Sequence, residues 1–309
     1  MTAIARSLAA IWQSVRLAAS QERAWLAALP AVTGLMTALL APNYGETFAS
    51  PANLARAVAS AQVSDTSRFL YGRLSSSAGV VQMATWELGG LTFLVLSIVV
   101  VLRSISLTRA AEDLGRAELL RSAGAGPVLG QGLVLVLQCL LLGVGAGAGM
   151  LALKEADGAD AAAYGAVLAC TGLAVSFTTL VVAQLVPDAA TGCTVALAMV
   201  GLMHAGNGMR ASKDWDWAGW ASPFRLRAAV DPGGANAWAP ILIAVTASVV
   251  VLALAGVLAS HRDLGQGLVR LPARRSPSLR VSGPLTFALR LSRRQCLAWA
   301  LLVSLVAGV

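Results

Sequence analysis

Met83-Ala-Thr-Trp-Glu-Leu-Gly-Gly-Leu-Thr-Phe-Leu-Val-Leu-Ser-Ile-Val-Val-Val-Leu-Arg103 has one acid, Glu87, near its start and no further charge until Arg103. Wound as an α-helix at 1.5 Å per residue, the stretch is roughly 31 Å long. That matches the ~30 Å hydrocarbon core of a bilayer. The rest of the chain agrees: 57% of its 309 residues are hydrophobic and 12% are charged, where soluble domains carry about 25% charge. Lipid is the solvent such a composition suits. Comparable apolar runs lie at 24–41, 128–153, 161–186, 193–208 and 239–259. In lipid each segment must satisfy its own backbone N–H and C=O groups, so all are expected to be helical. The expected fold class is all-α: a polytopic membrane protein with a six-span domain over 24–259. Residues 296–309 start a further apolar run, which reads as the beginning of a seventh span.

The connecting segments set the expected orientation. Fifteen of the 23 Lys and Arg residues fall before the first span, within 103–127, or in the basic linker 260–295. Positively charged loops stay inside, so these segments are expected in the cytoplasm and 42–82, 154–160 and 209–238 outside. The same bias explains the net charge of +8 without any nucleic-acid partner. Residues 1–23 hold Arg6, Arg16 and Arg23 on an apolar, Trp-containing stretch, the pattern of an amphipathic helix on the membrane surface. A bacterial cytoplasmic membrane and a cytoplasmic N-terminus follow from this reading. Pro30 lies within the first span, where it can kink the helix.

Several chemistries find no support. Cys139, Cys170, Cys193 and Cys296 lie in apolar runs without CxxC spacing, and His204 and His261 stand far apart; neither a metal nor another cofactor is expected. No GxxxxGK[ST], HExxH or GxSxG motif occurs, so the chain reads as a non-enzyme that does not itself hydrolyse ATP. Gly143-Val-Gly-Ala-Gly-Ala-Gly149 reads as two small-xxx-small pairs, Gly143/Gly147 and Gly145/Gly149, that let helices approach closely. Apart from Glu87 and His204 the spans are nearly free of ionisable groups. Ion-driven carriers keep charges near the midplane, so transport energy is expected to come from outside the membrane. A secondary carrier of a hydrophobic substrate and a non-transporting scaffold or sensor subunit are the alternatives.

Attention then falls on 103–127. Leu107, Ala110, Leu114 and Ala117 recur at helical spacing, with Glu112, Asp113, Arg116 and Glu118 on the other faces. Glu112/Arg116 is an i,i+4 pair, and Gly124, Gly126 and Pro127 end the segment. An amphipathic helix of mixed charge suits docking to a cytoplasmic protein. Gln138, Phe177, Met199 and Met203 are picked as residues lining a substrate pathway.

Thr108-Arg-Ala-Ala-Glu-Asp-Leu-Gly-Arg-Ala-Glu-Leu-Leu-Arg121 resembles the first inner loop of the actinobacterial polyketide-antibiotic exporter permeases, ABC type-2 exporters that include tetronasin-resistance-like proteins. Ser222-Pro-Phe224, His261-Arg-Asp-Leu-Gly-Gln-Gly-Leu268 and Gly283-Pro-Leu285 with Arg290-Leu291 resemble later segments of that family, in its order. Ala111, Ser106-Leu107 and Arg225-Leu226 depart from its usual pattern. The resemblance implies a six-span ABC type-2 exporter unit, corresponding to the family's N-terminal half. It also implies a separate ABC ATPase subunit that binds ATP, and export of hydrophobic or amphiphilic compounds. Arg109, Glu112, Asp113, Gly115, Arg116, Glu118 and Arg121 would couple to that ATPase, and 209–238 would form an external re-entrant segment.

Arg16-Leu-Ala-Ala-Ser-Gln-Glu-Arg-Ala-Trp25 and Arg290-Leu-Ser-Arg-Arg-Gln-Cys-Leu-Ala-Trp299 match at Arg, Leu, Gln, Ala and Trp. The match suggests that a second copy of the six-span unit begins near residue 285. The expected functional unit joins this half to a second six-span half in the same polypeptide, a split partner or a homodimer.

Overall fold

The computed structural model describes residues 3–115, 127–262 and 267–268, and every regular element among them is helical. Helix α1 runs Ala3–Leu40; α2, α3 and α4 are short, at Pro42–Thr47, Pro51–Val63 and Asp65–Tyr71. Next come α5 (Val80–Leu107) and the one-turn α6 (Arg109–Asp113). Numbering on through the described residues, α7 is Pro127–Met150, α8 Gly158–Leu185 and α9 Ala189–Lys213. A 3₁₀ turn at Pro223–Arg225 leads into α10 (Leu226–Val230), and α11 is Ala239–Ser260. Six of these helices are long and apolar enough to cross a membrane, and each expected span matches one of them, the run 128–153 overshooting its helix, which ends at Met150. The protein is an all-α polytopic membrane protein.

Four boundaries differ from expectation. The surface helix and first span are one continuous helix, α1, with Pro30 inside it. No Gly or Pro stands near the expected junction at Arg23, and Arg residues on an exposed face do not stop a helix; Pro30, further on, removes one N–H donor without ending it. The run 193–208 sits inside a 25-residue helix, because Asp188 caps the N-terminus with its side chain and the polar residues to Lys213 extend the last turns. The segment 42–82 carries α2–α4, with Pro42 and Pro51 in the first turns of α2 and α3, where a missing N–H costs nothing. The helix expected over 103–127 is divided: α5 runs on to Leu107, and the chain breaks at Thr108 (φ −105°, ψ −89°) before α6 begins. Residues 116–126, the linker beyond 268 and the seventh run from 296 lie outside the described residues.

Helix α8 is the centre of the bundle. Leu173, Val175, Ser176, Phe177, Thr179 and Leu180 are all buried, so it is covered on every side, packing against α5, α7, α9 and α11. Helix α11 buries only Ile241, Ser248 and Ala255, a seven-residue seam, and exposes Leu242, Ile243, Val250 and Leu254.

The glycines of α7 set two crossings. A Cβ on Gly145 would sit 2.4 Å from the Pro30 carbonyl oxygen, and one on Gly149 would sit 2.3 Å from that of Gly34, so this face meets the backbone of α1. Gly143 and Gly147 face the other way, where a Cβ would lie 2.5 Å from the Gly165 oxygen and 2.7 Å from the Ala161 oxygen on α8. The two small-residue pairs read in the sequence thus serve two different neighbours.

Candidate functional site

At the end of the bundle where α5 stops, α6 forms a clasp. Arg109 is fully buried. Its Nε donates to the Ala183 carbonyl near the end of α8, and its Nη1 donates to Glu112 Oε2 at 2.9 Å. Glu112 Oε1 accepts from Arg262, just beyond α11. One carboxylate with a 10% exposed side chain therefore holds two buried guanidinium groups, from α6 and from the segment following α11. Asp113 Oδ2 accepts from the Ala189 N–H at 3.1 Å, satisfying a free donor at the start of α9. The Asp188 carboxylate accepts from Thr191 N and Oγ1, each at 2.8 Å. These hydrogen bonds, chiefly the one from the backbone, hold Asp188 below the usual carboxylate range. Gln131 Nε2 of α7 donates to the Leu107 carbonyl at 2.6 Å, and Leu268 N to the Gln184 carbonyl at 3.2 Å. Through Arg109, Glu112 and Asp113, α6 reaches α8, α9 and the segment after α11, while Gln131 and Leu268 add direct ties from α7 to the end of α5 and from residue 268 to α8.

The expected coupling residues divide accordingly. Arg109 and Glu112 are internal, whereas Asp113, Leu114 and Gly115 are exposed, Leu114 to 65%. The apolar face read from the sequence would have turned Leu114 inward. Gly115 has φ +71° with open space around it, a left-handed conformation that glycine adopts without strain. Arg116, Glu118 and Arg121 lie outside the described residues.

The pathway residues do not share one site. Met199 and Met203 of α9 line a shallow apolar groove against Val175, Thr179 and Val182 of α8. Phe177 is buried on another face of α8, with Leu135, Cys139 and Ala255 in its cluster. Gln138 is buried at the α1–α7 crossing, where its Nε2 donates to the Trp25 carbonyl at 3.3 Å. The groove ends near the Ser222-Pro-Phe224 turn. Ser222 donates its hydroxyl to the Met203 carbonyl at 2.7 Å and caps the turn by accepting from Phe224 N. Phe224 is buried edge-on against His204, ring centres 5.3 Å apart.

At the opposite end of the bundle, 209–238 is stitched onto 42–82. Arg227 donates to the Tyr71 and Arg73 carbonyls at 3.2 and 2.8 Å. Gln82 Nε2 donates to both oxygens of Asp231, and Trp86 Nε1 donates to the Gly72 carbonyl at 2.8 Å. Asp214 pairs with Arg68 and Arg73, and Lys213 with Asp65 at 2.6 Å. The hydrogen bond from Lys213 holds the Asp65 carboxyl below its usual range. Trp217 and Trp220 remain exposed beside this cap.

The chain is 34% identical over 277 residues to a multidrug efflux system permease protein of Mycobacterium tuberculosis. The match covers 84% of this chain and 48% of the relative, so the chain spans about half the length of the curated relative it matches. No family model matches the chain.

Two features escaped the sequence. Glu22 was read as part of a surface helix, yet it is 5% exposed and bonded to Arg103 of α5, Nε to Oε2 at 2.8 Å. The Arg103 guanidinium also lies 4.8 Å over the Trp25 ring. The only hint was a lone acid among the arginines of residues 1–23. The partnership of Arg262 with Glu112 spans 150 positions, and no local pattern encodes it.

Proposed function

We propose that this chain is the membrane-spanning permease part of an ATP-driven exporter of hydrophobic or amphiphilic, drug-like compounds. ATP is bound and hydrolysed on a separate ABC ATPase subunit. The observation that carries the reading is the likeness, across 84% of the chain, to a protein named as a multidrug efflux permease, joined to six helices able to cross a membrane. The bilayer is the bacterial cytoplasmic membrane, with the α6 end in the cytoplasm. A second six-span half completes the transporter.

The ATPase docks at α6. Asp113, Leu114 and Gly115 offer the contact, and an exposed Leu between an acid and a turn glycine suits a protein groove better than a lipid headgroup surface. Arg109 and Glu112 act behind that contact. Because they join α6 to Ala183 and to Arg262, a push on α6 reaches α8 and the segment after α11 together. The test is reconstitution of the chain with its second half and its ATPase in proteoliposomes. Efflux of a fluorescent hydrophobic dye should need ATP hydrolysis and survive an uncoupler. Leu114→Asp should abolish ATPase association while the bundle keeps its melting temperature, since exposed changes usually cost within about 0.5 kcal/mol. Efflux that collapses with the proton gradient while ATP is present would overturn the reading in favour of a secondary carrier. Unimpaired ATPase association of Leu114→Asp would overturn the docking site.

A further inference from the structure

His204 is buried in α9, and neither ring nitrogen has a hydrogen-bond partner among the described residues. It lies about 22 Å along α9 from Ala189, well inside a helix able to cross the membrane. A buried polar group without a partner costs roughly 1–3 kcal/mol. Ionisable side chains in such helices are rare and mark pathways. Position gives the group a use. The buried stripe of α9 is Gly192, Ala196, Val200, His204, Asn207 and Ala211, so His204 stands one turn beyond Val200, which lines the α8–α9 groove. The groove's own hydroxyls are occupied: Thr178 donates to the Ala174 carbonyl and Thr179 to that of Val175. Ser222 and Phe224 close the same end, on the Met203 carbonyl and the His204 ring.

We infer that His204 is the hydrogen-bonding anchor of the α8–α9 groove, recognising a hydroxyl or carbonyl on an otherwise apolar ligand when the two helices part. The inference rests on the exporter reading and deepens it. Met199 and Met203 supply an adaptable apolar wall that accepts many shapes, and His204 supplies the one directional contact. A ligand that meets the ring relieves a hydrogen-bonding deficit that the closed groove leaves unmet.

The probes are 1-pyrenemethanol and its near-isostere 1-ethylpyrene, with binding to the purified full chain read by energy transfer from tryptophan. The wild type should prefer the alcohol, after correction for detergent partitioning, by about 2- to 10-fold, the net value of one hydrogen bond. His204→Phe should erase that preference and leave 1-ethylpyrene binding unchanged, while His204→Gln should retain it. The melting temperature of His204→Phe should equal or exceed that of the wild type, because a buried unsatisfied group has been removed. An unchanged preference in His204→Phe, or a melting temperature that falls, overturns the inference. The groove itself is tested by Met199→Phe with Met203→Phe. If filling it leaves 1-ethylpyrene binding intact, groove binding fails and the anchor fails with it. If filling it blocks 1-ethylpyrene while the alcohol preference ignores His204, only the anchor fails.

Discussion

Glu112 pairs with both Arg109 and Arg262, all three with side chains at most 10% exposed. Breaking a buried ion pair by removing its carboxylate typically costs about 3–5 kcal/mol. Glu112→Ala is therefore expected to lower the melting temperature of the purified protein far more than Asp113→Ala, whose carboxylate is exposed. Equal melting temperatures for the two variants would mean that the clasp holds nothing. Asp188 gives a pH-dependent counterpart. Its folded pKa is lowered by the bond from Thr191, so its stabilisation is fully present above the unfolded value of about 3.9 and is lost as pH falls through the lower folded value. Asp188→Ala should cost about 0.5–2 kcal/mol at neutral pH, as loss of an N-cap does. The gap from wild type should narrow in melts carried below pH 4.

At the scale of elements, α7 works as a two-sided spacer. Its glycines bring α1 and α8 to backbone contact, so the cost of a side chain there depends on which atoms it meets. Gly149→Ala would drive a Cβ to within 2.3 Å of the Gly34 carbonyl oxygen, and rigid backbone cannot yield as a flexible side chain can. Loss of about 1–3 kcal/mol is expected, the usual scale of overpacking. Gly201→Ala and Gly256→Ala meet nothing within 4 Å and should be neutral or gain up to about 1 kcal/mol from helix preference. Unfolding of the three variants in one detergent gives the comparison, and equal stabilities would mean that the α1–α7 crossing is looser than described.

Among the described residues, the six long helices alternate in direction, so the α6 clasp and the stitched cap lie at opposite ends. Trp217 and Trp220 are each 77% exposed at the cap end and Trp12 is 68% exposed on α1, as tryptophans at the two membrane surfaces are. With Cys139, Cys170, Cys193 and Cys296 replaced, Ala218→Cys should react with an impermeant thiol reagent in intact cells, and Ser278→Cys should not. Labelling of Ser278→Cys alone would invert the orientation drawn from the arginines.

The sequence by itself determined the lipid solvent, the helical class, the six spans and the close-packing glycines. Each of these follows from a local quantity: the length of an apolar run, its charge, or the spacing of small residues. It also flagged Arg109, Glu112 and Asp113 as one charged segment, but it placed Arg109 and Glu112 on an outer face although they are internal. Which side of a one-turn helix faces inward depends on the Ala183 carbonyl and Arg262, which come from distant parts of the chain. Only the tertiary structure decided that Glu22 meets Arg103, that 209–238 is bound to 42–82, and that neither nitrogen of His204 meets a partner among the described residues. A hydrogen bond depends on where two groups meet in space, and in a bundle that is set by helices packing across the chain, while composition and periodicity record only what lies nearby in sequence.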